Sequence, residues 1–207
     1  MTERGEVERL EALWRDDFGD EYVERNRAAA EHREEFWRWL HGGHPFASVL
    51  EVGCNLGGNL HWLAQLLDPL QVYGVDINAQ ALREVRRTLP DVNVMRSPAR
   101  SLPFRDAMFD LTFTTTVLIH QPQDSLPIVM NEVVRTSRRY VLCGEYHADE
   151  LVEVPYRGET GALFKRDWGA LYQSLFPELK LLETRYEADP GDGGGWDDVT
   201  FWLFEKT

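Results

Sequence analysis

Residues 49–60, VLEVGCNLGGNL, run from apolar side chains into glycine and asparagine, with one carboxylate, Glu51, inside the apolar part. The run predicts a buried strand over 47–52 that breaks into a tight turn and continues as a helix over 58–67. Gly53, Gly57 and Gly58 let the backbone turn sharply and approach a ligand closely. A helix starting near Gly58 presents free N–H groups at that turn. In phosphate binders such groups face a pyrophosphate, and the fingerprint is G-x-G-x-x-G. Here the pattern is G-C-N-L-G-G, with Asn55 where a second glycine could sit. Glu51 repels a pyrophosphate and attracts a cation, so the turn favours a ligand with an ammonium or sulfonium group over a dinucleotide. The same carboxylate disfavours an NAD-linked dehydrogenase.

Outward from this turn, strands and helices alternate. Strands are expected at 71–77, 92–96, 108–117 and 139–146, with helices over 79–89 and 125–136 between them. Amphipathic helices are expected at 6–15 and about 27–41, the second ending at His41-Gly42-Gly43 with a glycine in left-handed geometry. Late strands fall at about 179–187 and 198–205. Only EADPGDGGGWDD joins that last pair, too short a link for a parallel crossover, so the pair should be antiparallel. The pattern predicts an α/β fold: a parallel five-strand core that ends in an antiparallel C-terminal hairpin. In such sheets ligands bind at the carboxyl ends of the strands, near the point where winding reverses.

Composition sets bounds on function. The 207 residues are 43 % hydrophobic and 28 % charged, consistent with one soluble domain. The expected division is a helical cap over 1–40, a cofactor-binding core over 41–144, and a substrate cover with the hairpin over 145–207. Net charge is −13, and its excess lies in the flanks: −5 over 1–40, zero over 41–144 and −8 over 145–207. That surface argues against a nucleic-acid substrate. Cys54 and Cys143 sit in apolar stretches, the N-terminus lacks an apolar signal core, and no apolar run nears the roughly 20 residues of a membrane span. A cytoplasmic protein without a membrane partner, monomer or homodimer, is expected. No His/Asp cluster has metal-ligand spacing.

At these residues the chain resembles the class I S-adenosylmethionine-dependent methyltransferases. VLEVGCNLGGNL is similar to their first motif, acidic-x-Gly-x-Gly-x-Gly, with Glu51, Gly53, Asn55 and Gly57 in its places. YGVDIN at 73–78 is similar to the second, with Asp76 ending the strand, and 96–121 to the third and fourth. Pro98 stands where an adenine-facing Asp is usual, leaving that contact to backbone at Pro98 and Ala99. FGDEYVERN, VLIH, EVPYRGETGALFKRDW and DDVTFWLFEK together resemble a small methylase family associated with pseudaminic acid biosynthesis.

The resemblance implies a seven-stranded Rossmann-like methyltransferase sheet with helices on both faces. It implies S-adenosyl-L-methionine as cofactor, leaving S-adenosyl-L-homocysteine. Its cofactor contacts would be Tyr22, Arg25, Asn26, Glu51, Gly53, Cys54, Asn55, Gly57, Asn59, Asp76, Ile77, Asn78, Pro98, Ala99, Thr115 and Val117. Asp76 either accepts both ribose hydroxyls or caps the following helix. His120 and Glu145 are the candidate proton acceptors; His120 otherwise packs over the cofactor or bonds a carbonyl. The long segment 148–168 reads as a substrate cover. Tyr22, Tyr146, Glu153, Tyr156, Arg157, Lys165 and Arg166 are its candidate substrate contacts. Trp196, Asp197 and Asp198 either join them or close the last turn. The acidic flanks favour a small polar acceptor with a cationic amine or guanidinium, methylated on nitrogen or oxygen. An acidic sugar of nonulosonate type would need Arg157, Lys165 and Arg166 to point inward. A protein that binds the cofactor without catalysis is the other alternative, favoured if Trp196 or Tyr146 fills the pocket beside the methyl group.

Overall fold

The computed structural model describes residues 3–25, 33–191 and 195–207. Nine strands and seven α-helices are defined among them. The N-terminal part is α1 (Glu3–Arg15), α2 (Asp17–Arg25) and α3 (Glu34–Gly43). The core follows as β1 (Val49–Val52), α4 (Gly58–Leu66), β2 (Val72–Asp76), α5 (Ala79–Thr88), β3 (Asn93–Arg96), β4 (Phe109–Thr115), α6 (Leu126–Thr136) and β5 (Ser137–Glu145). The C-terminal part is the small hairpin β6 (Val152–Glu153) and β7 (Phe164–Lys165), then α7 (Trp168–Leu175), β8 (Leu179–Glu187) and β9 (Val199–Lys206).

Seven strands form one sheet in the order β3-β2-β1-β4-β5-β9-β8. β1 pairs in parallel with both β2 and β4, so winding reverses beside its carboxyl end. β9 runs antiparallel between β5 and β8. The seven-stranded, mostly parallel sheet with an antiparallel hairpin agrees with the sequence expectation.

Side-chain alternation explains the layers. Val49 belongs to an apolar cluster with Phe36, Trp37 and Leu40 of α3, Leu60 and Leu63 of α4, and Leu82 and Val85 of α5. Its neighbours Leu50 and Val52 point to the opposite cluster, with Val129, Met130 and Val133 of α6 and Trp168 and Tyr172 of α7. A period of two along β1 thus supplies both faces, and helices cover both.

Several local expectations need correction. α3 is described from Glu34 and ends at Gly43, but neither Gly42 nor Gly43 takes positive φ; the chain leaves through His44 at φ −134°. β4 stops at Thr115, and Leu118–His120 form a 3-10 turn, so His120 follows the strand. α7 was not anticipated. Its eight residues, WGALYQSL, are too apolar all round for a clear stripe, yet Asp167 caps it by accepting from Ala170 N at 2.8 Å. α2 was hidden by its central Gly19, a poor helix former. The glycine is needed there: a Cβ would lie 1.9 Å from the Trp14 carbonyl oxygen at the α1–α2 corner.

Candidate functional site

The carboxyl ends of β1, β2 and β4 open into a cavity of about 260 Å³, walled on the far side by α1, α2 and the turn before β9. The first turn is built by unusual backbone. Gly53 has φ +80°, and a Cβ there would lie 2.4 Å from Val117 Cγ2. Its N–H and that of Cys54 both donate to Val75 O, at 2.8 and 2.9 Å. Asn55 has φ +44°, which explains the departure from glycine: asparagine is the side chain that best tolerates left-handed backbone. Gly57, also left-handed, caps α4 but does not line the cavity; its α-carbon faces Val85 and Leu89 of α5.

Two carboxylates lie in this floor. Glu51 is 2 % exposed; its Oε1 accepts from Asn59 Nδ2 at 2.6 Å. Its Oε2 has no partner among the described residues. Burial pushes the Glu51 carboxyl up to about 8, against the Asn59 bond and the nearby Arg33. Asp76 accepts from Asn78 N and Asn55 N, each at 2.8 Å. Burial raises it as well, while those backbone bonds hold it down. Asp76 therefore pins two turns and does not cap α5. That cap is Asn78, whose Oδ1 accepts from Ala81 N at 2.9 Å.

His120 lines the cavity and is buried, beside Trp14 at 4.5 Å and Tyr156 at 5.1 Å between ring centres. Its Nδ1 lies 2.6 Å from the Ala162 carbonyl, which can only accept, so Nδ1 carries the proton and Nε2 is the acceptor. Burial lowers His120 to about 4, so the ring is neutral at neutral pH.

The remaining expected residues separate cleanly. Tyr22, Cys54, Asn59, Ile77, Asn78, Pro98, Ala99, Thr115, Val117, Trp196 and Asp197 line the same cavity as Glu51 and Asp76. The side chain of Arg25 and the whole of Asn26 fall outside the described residues. Glu145 is not a proton acceptor in the cavity. It is fully buried, and its carboxylate accepts from Val117, Leu118 and Ile119 N–H groups, closing the 3-10 turn. Asp198 closes the β8–β9 turn by accepting from Tyr186 Oη and Asp189 N. Tyr146, Glu153, Tyr156, Arg157, Lys165 and Arg166 do not line the cavity. Glu153 accepts from Gly161 N, Lys165 lies over the Tyr146 ring, Arg157 over Tyr156, and Arg166 donates to Gln123. These contacts keep the cover together. Tyr156 still buttresses His120 from behind.

Sequence reasoning missed Trp14, Arg33, Gln121 and Pro122, all in the cavity wall. Trp14 sits on a helix whose placement over the sheet edge no local pattern encodes. Arg33 looks like an ordinary solvated charge in EHREEF until the fold half-buries it against Asn59 and Trp196.

The residues at this edge fit S-adenosylmethionine: a buried, unpartnered Glu51 oxygen suits a cation, and Asp76 ends the second strand where a ribose would sit. The fold is similar to that of solved methyltransferases with bound S-adenosylhomocysteine. Residues 49–139 match a family described as a methyltransferase domain. The chain is 34 % identical over 92 residues to phthiotriol/phenolphthiotriol dimycocerosates methyltransferase 1 of Mycobacterium ulcerans (strain Agy99), a match covering 44 % of this chain and 33 % of that protein. The matched part thus spans about a third of the length of that curated relative. Among solved structures, a Burkholderia thailandensis 1,6-didemethyltoxoflavin-N1-methyltransferase with bound 1,6-didemethyltoxoflavin and S-adenosylhomocysteine superposes with a TM-score of 0.73. Its identity is 18 %, over 97 % of this chain and 90 % of that one. Magnesium protoporphyrin IX methyltransferase of Synechocystis PCC 6803, with bound S-adenosylhomocysteine, gives 0.70 at 13 % identity, over 96 % and 98 %. Both likenesses are of fold.

Proposed function

We propose that this chain is an S-adenosylmethionine-dependent methyltransferase whose acceptor is a nitrogen or oxygen of a small polar metabolite with a cationic end. The observation that carries this reading is the charge of the cavity wall. Among the described residues it holds the carboxylates Glu11, Glu51, Asp76 and Asp197, against Arg33 alone. Glu11 is paired outward with Arg100 at 2.5 Å. Among the described residues Asp197 has only a 3.5 Å contact, from Tyr146 Oη, so we assign it to the acceptor.

S-adenosylmethionine supplies a methyl group already activated on a sulfonium, so the chain's task is mainly to position the acceptor. Asp197 holds the cationic end. His120, neutral and fixed by Ala162, offers Nε2 to a proton on the nucleophile and aims its lone pair. Residues 1–40 serve as the cap, and 145–207 carry the cover and hairpin. A nitrogen acceptor is in keeping with the Burkholderia neighbour, which is named as an N1-methyltransferase. An acidic sugar of nonulosonate type, as in the pseudaminic acid resemblance, lacks the inward Arg157, Lys165 and Arg166 it needs. For the non-catalytic alternative the two marker residues differ: Tyr146 does not line the cavity and Trp196 does, so the acceptor screen separates the two readings.

The test is a screen of amines, guanidines, amino acids and acidic sugars with labelled methyl donor, run beside Asp76→Ala. Transfer to amines or guanidines is the expected result. Transfer confined to acidic sugars overturns the acceptor class, and binding of the donor with no transfer to any acceptor favours the non-catalytic reading.

A further inference from the structure

His120 takes its tautomer from a backbone atom far away in the chain. Its Nδ1 donates to Ala162 O at 2.6 Å, across 42 residues. Ala162 is fully buried, just before β7. The other neighbours of the ring are the faces and edges of Trp14 and Tyr156, which do not choose between its two nitrogens. The Ala162 carbonyl makes that choice, so whatever aims the carbonyl also sets the proton.

The carbonyl is placed by the turn over 157–161. Arg157, Gly158 and Gly161 all have positive φ there, at +51°, +86° and +66°. Backbone of this kind persists only where its surroundings hold it. Inside the cover it is held by the backbone bonds between Tyr156 and Glu159 and by Gly161 N, which donates to Glu153 at 2.6 Å. From outside the cover, among the described residues, its hydrogen bonds come from one side chain, Arg9 of α1. Arg9 Nη1 donates to Glu159 at 3.3 Å and Nη2 to Thr160 O at 3.2 Å. Glu6 orients the guanidinium by accepting from Nε at 3.0 Å and from Nη2 at 2.7 Å. The approach is close: a Cβ on Gly161 would lie 3.4 Å from Glu6 Oε1. The same helix carries Trp14, whose ring packs on His120. α1 thus touches the ring directly and, through Arg9, the turn that carries its hydrogen-bond partner.

We infer that Arg9 is a positioning residue for His120: by seating the 157–161 turn on α1, it aims the Ala162 carbonyl and keeps the ring proton on Nδ1. The inference rests on the reading of His120 as the base. In the transfer, Nε2 takes a proton from the acceptor, whose freed lone pair forms the new bond to the methyl carbon as the carbon–sulfonium bond breaks. The ring is then an imidazolium, and its Nδ1–H bond to Ala162 O becomes charge-assisted. A turn that has left α1 supplies neither the tautomer nor that support. Proton removal is thereby coupled to a seated cap.

Imidazole nitrogen NMR of the intact protein, carrying labelled histidine, tests it; the His120 ring is assigned by its absence in His120→Gln. In the unaltered protein the proton should sit on Nδ1. In Arg9→Ala the ratio of the Nδ1–H to the Nε2–H tautomer should fall about fivefold, the size of one neutral hydrogen bond. Arg100→Ala, which removes the pair between α1 and the loop after β3, should leave the ratio unchanged. A proton on Nε2 in the unaltered protein overturns the inference without recourse to any variant. So does an unchanged ratio in Arg9→Ala. An equal fall in Arg100→Ala also overturns it, because the cap as a whole then sets the ring. Titration of the unaltered protein with S-adenosylhomocysteine keeps the two claims apart: no uptake overturns the methyl-donor reading, whereas uptake with an unchanged ratio in Arg9→Ala overturns only the role of Arg9.

Discussion

The floor and the roof of the cavity are held by different forces. Glu51 and Asp76 stand on a parallel ladder between two apolar layers, Glu51 in register with β2 and β4 and Asp76 with β3, and the Gly53 N–H just beyond β1 donates to Val75 O. The roof, α1 and α2 with the cover, rests on a chain of rings: Trp14 against Phe18, Tyr22 and His120, and Tyr156 against Phe18 and His120. Two partly exposed ion pairs add to it, Arg9–Glu159 at 3.3 Å and Arg100–Glu11 at 2.5 Å. Aromatic pairs contribute about 0.5–1.5 kcal/mol each and exposed ion pairs about 0–1 kcal/mol. The floor is therefore set by the fold as a whole. The roof is a sum of small contacts that can be displaced to admit an acceptor.

The largest expected effect breaks the floor. Gly53→Val imposes a β-branched residue at φ +80° and drives it into Val117. It should cost about 3 kcal/mol or more in denaturant unfolding and abolish donor binding. Retention of both would mean the turn is not rigid. Next is Glu145→Gln, which leaves one of its backbone N–H groups facing an amide NH₂. A loss of about 1–3 kcal/mol in unfolding free energy, read as a lower urea midpoint, is expected. An unchanged midpoint with lost transfer would return Glu145 to a chemical role.

The pH dependence follows from buried groups of the floor and of the turn below the roof. Glu51 at about 8 and Glu145 at about 7 both lie above the ordinary 4.5 of a glutamate. The folded state holds protons that the unfolded state has released. Their stabilising contribution is complete below pH 4.5 and is lost as pH rises through 7 and 8. His120, at about 4, acts oppositely: its contribution is complete above pH 6.5 and is lost as pH falls toward 4. Between about pH 6.5 and 8 only the carboxyl side acts, so the ligand-free protein should lose about 1 kcal/mol per pH unit. Thermal melts should show Tm falling across that range, with a shallower fall in Glu51→Gln. A flat profile would mean that Glu51 is already ionised in the fold. The smallest effect belongs to the roof. Arg9→Ala removes a partly exposed pair and should change stability by less than about 1 kcal/mol in the same urea assay. A loss of several kcal/mol would make the roof part of the core.

How far the sequence reveals each half follows the same division. Glu51, Gly53, Asn55 and Asp76 are readable because strand periodicity and left-handed backbone are local properties. The hairpin is readable from the shortness of its link. The α1–α2 corner, Trp14 and Arg33 are not, because their roles come from where tertiary packing sets a helix, and no spacing in the chain records that. Glu145 shows the opposite failure. A carboxylate at the end of a strand looks available until the next loop folds back and spends it on three N–H groups.

The most direct measurement is calorimetric titration of the intact protein with S-adenosylhomocysteine, repeated with Asp76→Ala. The expected result is saturable one-to-one uptake by the unaltered chain, weakened about 30- to 100-fold in the variant, as the loss of charge-assisted hydrogen bonds to a ribose requires. No uptake by the unaltered chain, or equal uptake by both, would contradict the role given to the Glu51–Asp76 edge.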